Sequence, residues 1–191
     1  IPVLIFINKL DHPHSNLDQT LMSIEEQLQV CPLLMSEPWL DPVYPAAMLD
    51  FLTQKMIYQD AQGREKGIVE PSAQALARTS VWRADLCEAA SLVDDRVLED
   101  HLCGKRVEEV QLIQALKKLM REKDYVLCYS GSALLNRGIR QLLTGASLFF
   151  DPVQSSFPEW ILGRVIRVRF CRQRGEFALV QSARDLPCHQ W

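Results

Sequence analysis

The sequence predicts an α/β fold built around a parallel β-sheet, and three observations support this prediction. Residues 2–7 form an almost continuous apolar run, which is typical of a buried parallel strand. A second β-prone run, residues 125–129, is followed by a helical pattern from about residue 138 to residue 150. Both runs end in polar or small residues, and ligands of open α/β sheets bind beyond the carboxyl ends of the strands. We therefore expect a ligand site where these two strands end.

The other elements follow from apolar periodicity and from turn-forming residues. Leucine and isoleucine residues at helical spacing predict an amphipathic helix at about residues 17–30. The prolines of residues 31–45 predict a turn region. In chain order we then expect short strands near 49–58 and 66–70 and helices at about 73–93, 94–103 and 107–121.

A β-hairpin is predicted near the C-terminal end of the sequence. The last helix should end at Asp151-Pro152, because the residue before a proline disfavours the helical conformation. Residues 160–170 and 176–180 are alternating or apolar runs on either side of a Gln173-Arg174-Gly175 turn. We expect these runs to pair as two antiparallel strands.

The tetrapeptide Asn8-Lys9-Leu10-Asp11, at the end of the first strand, carries the clearest chemical signal. Guanine presents two adjacent donors, N1–H and the 2-amino group, and the carboxylate of Asp11 can accept from both. Adenine has an acceptor at N1 and no 2-amino group, so it would leave that carboxylate unpaired. The stem of Lys9 can lie over a ring face, and the Asn8 amide can bind the base edge and connect neighbouring loops. The alternative is a chance tetrapeptide at a strand end.

A second element, residues 130–134 (Ser-Gly-Ser-Ala-Leu), follows the second predicted strand. Small residues allow a main-chain N–H to approach a ligand closely, and we expect the Ala133 N–H to face guanine O6. The alternative is an ordinary strand-to-helix turn. The predicted guanine-binding residues are Asn8, Lys9, Asp11, Ser132, Ala133 and Leu134.

The segment that contains this turn resembles a known family. Residues 131–143, Gly-Ser-Ala-Leu-Leu-Asn-Arg-Gly-Ile-Arg-Gln-Leu-Leu, resemble the end of the GTP-binding (G) domain of translational GTPases of the elongation factor G family. Residues 51–58 look like the family's short strand pair, and residues 82–90 and 94–104 look like its helical insert. The resemblance extends over most of residues 1–170 in the family's order.

The resemblance implies a domain organisation. Asp11 and Ser132 are 121 residues apart, far more than the single crossover helix of a minimal G domain needs. We therefore expect the C-terminal part of a P-loop GTPase G domain with an α+β insertion, followed by the first strands of a β-barrel domain. Residues 1–150 would be the partial G domain, with the inserted subdomain at about 32–106. Residues 151–191 would be the truncated start of β-barrel domain II.

The resemblance also implies a function, namely GTP or GDP binding and ribosomal translocation in protein synthesis. In the family a phosphate loop, an Asp-x-x-Gly magnesium element and a switch histidine precede the base-recognition motif, and nothing precedes it here except residues 1–7. We therefore expect a fragment that retains guanine recognition only, without catalytic or metal-binding residues of its own; magnesium would be bound by the full-length parent. The alternatives are a ribosome-protection (tetracycline-resistance) GTPase, a release-factor-recycling GTPase, and a degenerate non-catalytic remnant. His12 and His14 lack a third ligand, which favours an exposed loop over a metal site.

Composition and charge restrict the partners. The net charge of −3 disfavours a general nucleic-acid binder, so the expected partners are the ribosome and a guanine nucleotide, without sequence-specific nucleic-acid recognition. No apolar run reaches the ~18 residues of a membrane span, and we expect a cytoplasmic or organellar-matrix setting. The six cysteines form no Cys-x-x-Cys pair and are expected to be reduced. Arginines on the predicted hairpin suggest either contact with ribosomal RNA or a solvated strand face: Arg164, Arg167, Arg169, Arg172 and Arg174.

Overall fold

The computed structural model describes residues 2–41, 43–60, 64–150, 163–171 and 175–182. The chain divides into two units, residues 1–150 and residues 151–191, and each is described by itself. In its described part, the first unit contains a six-stranded mixed sheet and five helices. The predicted α/β class is therefore confirmed, whereas the assignment to a GTPase domain stays a prediction.

Most elements of the first unit begin and end within a few residues of their predicted positions. In chain order they are β1 Leu4–Ile7, α1 Leu17–Leu28, β2 Cys31–Trp39, β3 Ala47–Asp50, β4 Lys55–Gln59, β5 Glu65–Val69, α2 Ala73–Ser91, α3 Asp95–Leu102, α4 Glu109–Glu122, β6 Tyr125–Ser130 and α5 Ile139–Phe149. Polar side chains cap three of the helices: Asn16 accepts a hydrogen bond from Gln19 N–H at α1, Ser72 caps α2 and Asp94 caps α3.

The six strands lie in the order β1-β6-β2-β3-β4-β5. The pairs β1–β6 and β6–β2 are parallel, and the remaining pairs are antiparallel. Strand β6 has a neighbour on each side, and its Leu127 and Cys128 are fully buried. Ile7 lies opposite Ser130, so β1 and β6 end at the same edge of the sheet. This edge is where the sequence predicts a ligand site.

The predicted turn region at residues 31–45 is wrong for residues 31–39, which form β2. Strand β2 pairs with β6 from Cys31 to Ser36 and with β3 from Ser36 to Trp39. Pro32 and Pro38 therefore lie where β2 has a partner on one side only, so the missing N–H of each proline can face away from the ladder. The predicted start of an inserted subdomain, at about residue 32, falls inside a strand of the common sheet.

A buried arginine joins α2 to two loops. The side chain of Arg83 is 7% exposed and donates hydrogen bonds to the carbonyl oxygen of Leu52 and, at 2.8 Å, to that of Val107. Burial lowers the pKa of Arg83 from its ordinary value. Leu52 follows the end of β3, and Val107 precedes the start of α4. The guanidinium therefore donates to carbonyl oxygens that lie outside the regular helices and strands.

The second unit contains two described strands, β7 Gly163–Cys171 and β8 Gly175–Ser182. They pair in antiparallel register, with Gly163 opposite Ser182 and Cys171 opposite Gly175, which confirms the predicted strand pairing. The predicted helix end at Asp151-Pro152, the turn at 173–174, and Arg172 and Arg174 of the arginine group lie outside the described residues.

Two further expectations concern the whole chain. Among the residues that the structure describes, no helix is long and apolar enough to cross a membrane. Four cysteines are described as free thiols, as the sequence predicts: Cys31, Cys87, Cys103 and Cys128.

Arg83→Met should destabilise the first unit. The substitution keeps an apolar stem of similar length but leaves the carbonyl oxygens of Leu52 and Val107 without their donor, and each unsatisfied buried acceptor costs about 1–3 kcal/mol. We expect the free energy of unfolding to fall by about 2–4 kcal/mol in urea titrations. Arg96→Met, at an exposed position of α3, is the control and should change it by less than about 0.5 kcal/mol. An equal effect of the two substitutions would contradict the role of Arg83 in joining α2 to the two loops.

Candidate functional site

Two loops meet at the edge where β1 and β6 end. The Gly131 N–H donates to the carbonyl oxygen of Ile7, and the Leu10 N–H donates to the carbonyl oxygen of Gly131, each at 3.0 Å. These two bonds extend the parallel pairing of β1 and β6 by one step. They hold the loop that begins at Asn8 directly against the turn that begins at Gly131.

The Asn8 side chain connects the two predicted motifs. Its amide oxygen Oδ1 accepts hydrogen bonds from the Lys9 N–H at 2.8 Å and from the Ala133 N–H at 2.9 Å. Because both contacts use the oxygen, the amide nitrogen Nδ2 remains as a donor directed away from them. The Ala133 N–H, which the sequence analysis assigns to guanine O6, is thus occupied by Asn8 in this structure. Among the described residues the Leu134 N–H has no acceptor, so it is a donor of the turn that is open to a ligand.

Lys9 adopts a left-handed backbone conformation with φ of 67°. For a residue with a side chain this conformation costs of order 1–2 kcal/mol, and such strain is concentrated at functional sites. Lys9 follows β1 and Asn8 directly, and its side chain is exposed to solvent. The lysine stem is therefore free to cover a flat ligand.

The carboxylate of Asp11 is exposed but held by its neighbours. A hydrogen bond from the Ser132 side chain is the largest cause that lowers the pKa of Asp11 below its ordinary value. Desolvation raises that pKa by less, while the backbone of Asp11 and the positive charges of His12 and Arg137 lower it further. Ser132 is 2% exposed, and its oxygen also accepts from the Leu135 N–H at 3.3 Å. Asp11 is therefore an ionised, oriented acceptor at neutral pH.

Two glycines allow the turn to close on itself. Ser132 and Arg137 exchange backbone hydrogen bonds of 3.0 and 2.8 Å across it. A Cβ atom on Gly131 would overlap the carbonyl oxygen of Arg137, and one on Gly138, where φ is +79°, would overlap that of Ser130. The main chains can pass this closely only because both residues lack a side chain.

Two concave surfaces adjoin these residues. A cleft of about 420 Å³ includes Asp11 and Ser132, and a second of about 600 Å³ includes Asn8, Lys9 and His12. Both volumes lie in the range of roughly 300–1,000 Å³ that is usual for small-molecule sites. The cleft beside Asp11 is completed by residues of α1, of the end of β2 and of the turn: Leu10, Ser15, Leu17, Glu37, Pro38, Leu40, Gly131, Leu135 and Arg137.

Two charged residues of the cleft beside Asp11 were not predicted from sequence, Glu37 and Arg137. Arg78 of α2 holds the Glu37 carboxylate through two contacts of 2.8 and 3.2 Å. Glu37 was missed because β2 was predicted as a turn region. Arg137 lies within the resembling segment, but no local pattern separates it from the other arginines.

The described residues offer little for a metal ion. His12 and His14 lie with ring centroids 5.6 Å apart, and no group of three or more metal-ligating side chains occurs among the residues the structure describes. The letters Asp-x-x-Gly occur once, at residues 60–63, after the base-recognition motif rather than before it. Asp60 contacts Arg64 at 2.9 Å and Lys66 at 3.3 Å. Desolvation raises the pKa of Asp60, but the contacts with Arg64 and Lys66 outweigh it and lower the pKa to about 2.

No protein-family model matches the sequence. Among solved structures, the chain is similar to the crystal structure of ttk003000868 from Thermus thermophilus, with a TM-score of 0.68 and 20% sequence identity. The match covers 97% of this chain and 28% of that one, so the chain spans less than a third of that protein's length. At this identity the similarity shows the fold alone, an α/β arrangement.

Ser132→Ala should raise the pKa of Asp11 toward its ordinary value, because the hydroxyl donor that stabilises the carboxylate is lost. A pH titration of the side-chain carboxyl carbon by NMR measures this. In the parent chain the folded pKa lies below 3.8, so the stabilising contribution of Asp11 is present above that pH and is lost as the pH falls through the folded pKa. Ser147→Ala, on the exposed part of α5, should leave the Asp11 titration unchanged. An unshifted Asp11 in the Ser132 variant would show that the hydroxyl does not hold it.

Proposed function

We propose that this chain is the guanine-recognition part of a translational GTPase of the elongation factor G type. One observation carries the proposal: the two sequence motifs, 121 residues apart, are joined by the Asn8–Ala133 hydrogen bond of 2.9 Å. An unrelated tetrapeptide and an unrelated turn would have no reason to share side-chain contacts at one sheet edge. The mutual contacts favour a single site over two coincidental patterns.

The arrangement of donors and acceptors fits the edge of a guanine base. The ionised carboxylate of Asp11 suits N1–H and the 2-amino group, which are the donors of guanine. Guanine O6 and N7 are acceptors, and the open Leu134 N–H and the Asn8 Nδ2 are donors in the same loops. Lys9 supplies an apolar stem for a ring face. The proposed donor to guanine O6 is therefore the Leu134 N–H, in place of the Ala133 N–H that the sequence suggests.

The wider role rests on the resemblance of residues 131–143, 51–58, 82–90 and 94–104 to the elongation factor G family. In this proposal a longer protein binds GTP and magnesium, drives translocation on the ribosome, and works in the cytoplasm or an organellar matrix. A ribosome-protection or release-factor-recycling GTPase would use the same base-recognition residues and would differ in other domains. The translocase is preferred because the helical segments within residues 82–104 resemble the family's insert.

A second candidate is a non-catalytic guanine binder. It requires only the base contacts described above and no phosphate loop. The two candidates share the base site and differ in phosphate binding. The reading frame that surrounds this sequence separates them, because a phosphate loop upstream restores the enzyme.

Asp11→Asn should reverse the preference between guanine and xanthine. An amide in place of the carboxylate loses the paired acceptor for N1–H and the 2-amino group, but its NH₂ suits the 2-oxo group of xanthine. We expect guanosine to bind at least tenfold more weakly and xanthosine more tightly than to the parent chain, as measured by ligand-observed NMR titration. The control is Asp18→Asn, an exposed position in the first turn of α1.

Three results decide this experiment. The proposal holds if only the Asp11 variant changes base preference while adenosine fails to bind all three chains. It fails if the guanosine-to-xanthosine ratio is the same in the parent and in Asp11→Asn. It also fails if both aspartate variants shift the ratio equally, since the effect would then reflect net charge.

Guanosine, GDP and GTP should bind this chain with similar affinity. The base contacts described above are present, whereas charged phosphate contacts, which are about twice as strong as neutral ones, have no phosphate loop to make them. We expect dissociation constants on the order of 1 mM, or roughly −4 kcal/mol. Calorimetric titration with the three ligands measures this. A GTP affinity a hundredfold above that of guanosine would reveal a phosphate site in the chain.

A further inference from the structure

A separate cavity of about 210 Å³ lies between α5 and the face of the sheet. None of its lining residues belongs to the loops at residues 8–16 or 131–137. Its apolar lining comes from the sheet, the β3–β4 turn and the last turns of α5: Met35, Leu52, Ile57, Gly145 and Leu148. Its polar lining consists of Asp50, Glu65, Tyr129, Arg140, Gln141 and Thr144.

Gln141 provides an unsatisfied acceptor in this cavity. The residue is 6% exposed, and its side-chain oxygen Oε1 has no hydrogen-bond partner among the described residues. A buried carbonyl oxygen without a donor costs about 1–3 kcal/mol, so native structures seldom retain one without a reason. A ligand that donates a hydrogen bond would remove this penalty.

Asp50 adds an acidic group to the lining. Its Oδ1 accepts from the Thr53 N–H at 2.8 Å, yet burial outweighs this bond and raises the pKa of Asp50, with a smaller contribution from the charge of Glu109. The other charges of the lining, Glu65 and Arg140, neutralise each other in an ion pair of 2.8 Å. Asp50 is therefore the acidic group of the lining that is left without an opposite charge, and a cation beside it would stabilise its carboxylate form.

Tyr129 supplies a third acceptor. The residue is 5% exposed, and burial, together with the charge of Asp50, raises the pKa of its hydroxyl, which keeps the phenol neutral. A Cβ atom on Gly145 would overlap this hydroxyl group, so the glycine makes room for the tyrosine ring under α5. A phenol oxygen accepts hydrogen bonds as well as donating one.

We propose that this cavity binds the primary ammonium group of a small organic amine, with the apolar part of the amine against Met35, Ile57 and Leu148 and the three N–H donors directed at Asp50, Tyr129 and Gln141. A primary ammonium has three donors and no acceptor, which matches the three acceptor groups, and its positive charge would stabilise the carboxylate form of Asp50. The apolar side of the lining suits a short alkyl or aryl body. The site is independent of the proposed guanine site.

Benzylammonium tests the proposal, with benzyl alcohol as the neutral probe of nearly equal shape. Calorimetric titration of the 191-residue chain should show benzylammonium binding at least tenfold more tightly than benzyl alcohol. Asp50→Asn keeps an acceptor for the Thr53 N–H but removes the charge, and it should lower the affinity for benzylammonium about tenfold. Glu26→Gln, an equal charge change on exposed α1, should have no effect.

The outcomes separate clearly. Equal affinity of the two probes, or no measurable binding of benzylammonium, would mean that the cavity holds water only and would overturn the proposal. Equal losses in the Asp50 and Glu26 variants would also overturn it, because general charge attraction would explain both. Should Asp50→Asn fail to fold, the comparison of the two probes on the parent chain still decides. Guanosine binding is measured in parallel. A failure to bind guanosine would count against the proposed function and would leave the proposal for the amine cavity unaffected.

Discussion

The candidate site depends on the close approach of two main chains at the end of the parallel strand pair β1–β6. Gly131 bonds to both Ile7 and Leu10, and because it lacks a Cβ atom the turn that follows it can close against the main chain of Arg137. All side-chain contacts of the site follow from it. Only with the two loops in contact can the amide oxygen of Asn8 reach the Ala133 N–H, and only then can the Ser132 hydroxyl reach Asp11.

The contacts within the site divide into two kinds. The Asn8 Oδ1 and the Ser132 side chain bond to other parts of the protein, so they position the loops, while the Asn8 Nδ2 remains a donor for a ligand. Asp11, the Lys9 side chain and the Leu134 N–H remain exposed or open, so they are available to a ligand. This division fits a preformed site, in which the protein has already met the energetic cost of ordering its loops before a ligand arrives. The strained φ of Lys9 is part of that cost.

Local patterns predicted much of this fold because they act over short distances. The apolar run of β1 and the periodicity of α1 and α4 are each contained in a few residues. From the sequence we could infer that Asn8 and Ala133 belong to one site, but not that they contact each other. The sequence does not indicate which ligand atom or side chain the Ala133 N–H meets. Strand β2 was missed for a related reason. Prolines disfavour a strand with partners on both sides, but the sequence does not reveal that β6 and β3 each cover a different half of β2.

The same strand, β6, serves two different purposes at consecutive positions. Side chains alternate across a strand, so Tyr129 and Ser130 point to opposite faces of the sheet. Tyr129 lines the cavity beneath α5, whereas the hydroxyl of Ser130 donates to the carbonyl oxygen of Ser36 at 2.7 Å and fixes β6 against β2 just before the turn. Ser130 is fully buried, so this bond lies within the sheet between the residue that lines the cavity and the turn that begins at Gly131. The alternation of the strand therefore assigns consecutive residues to the two candidate sites, Tyr129 to the cavity beneath α5 and Ser130 to the anchoring of the turn at the sheet edge.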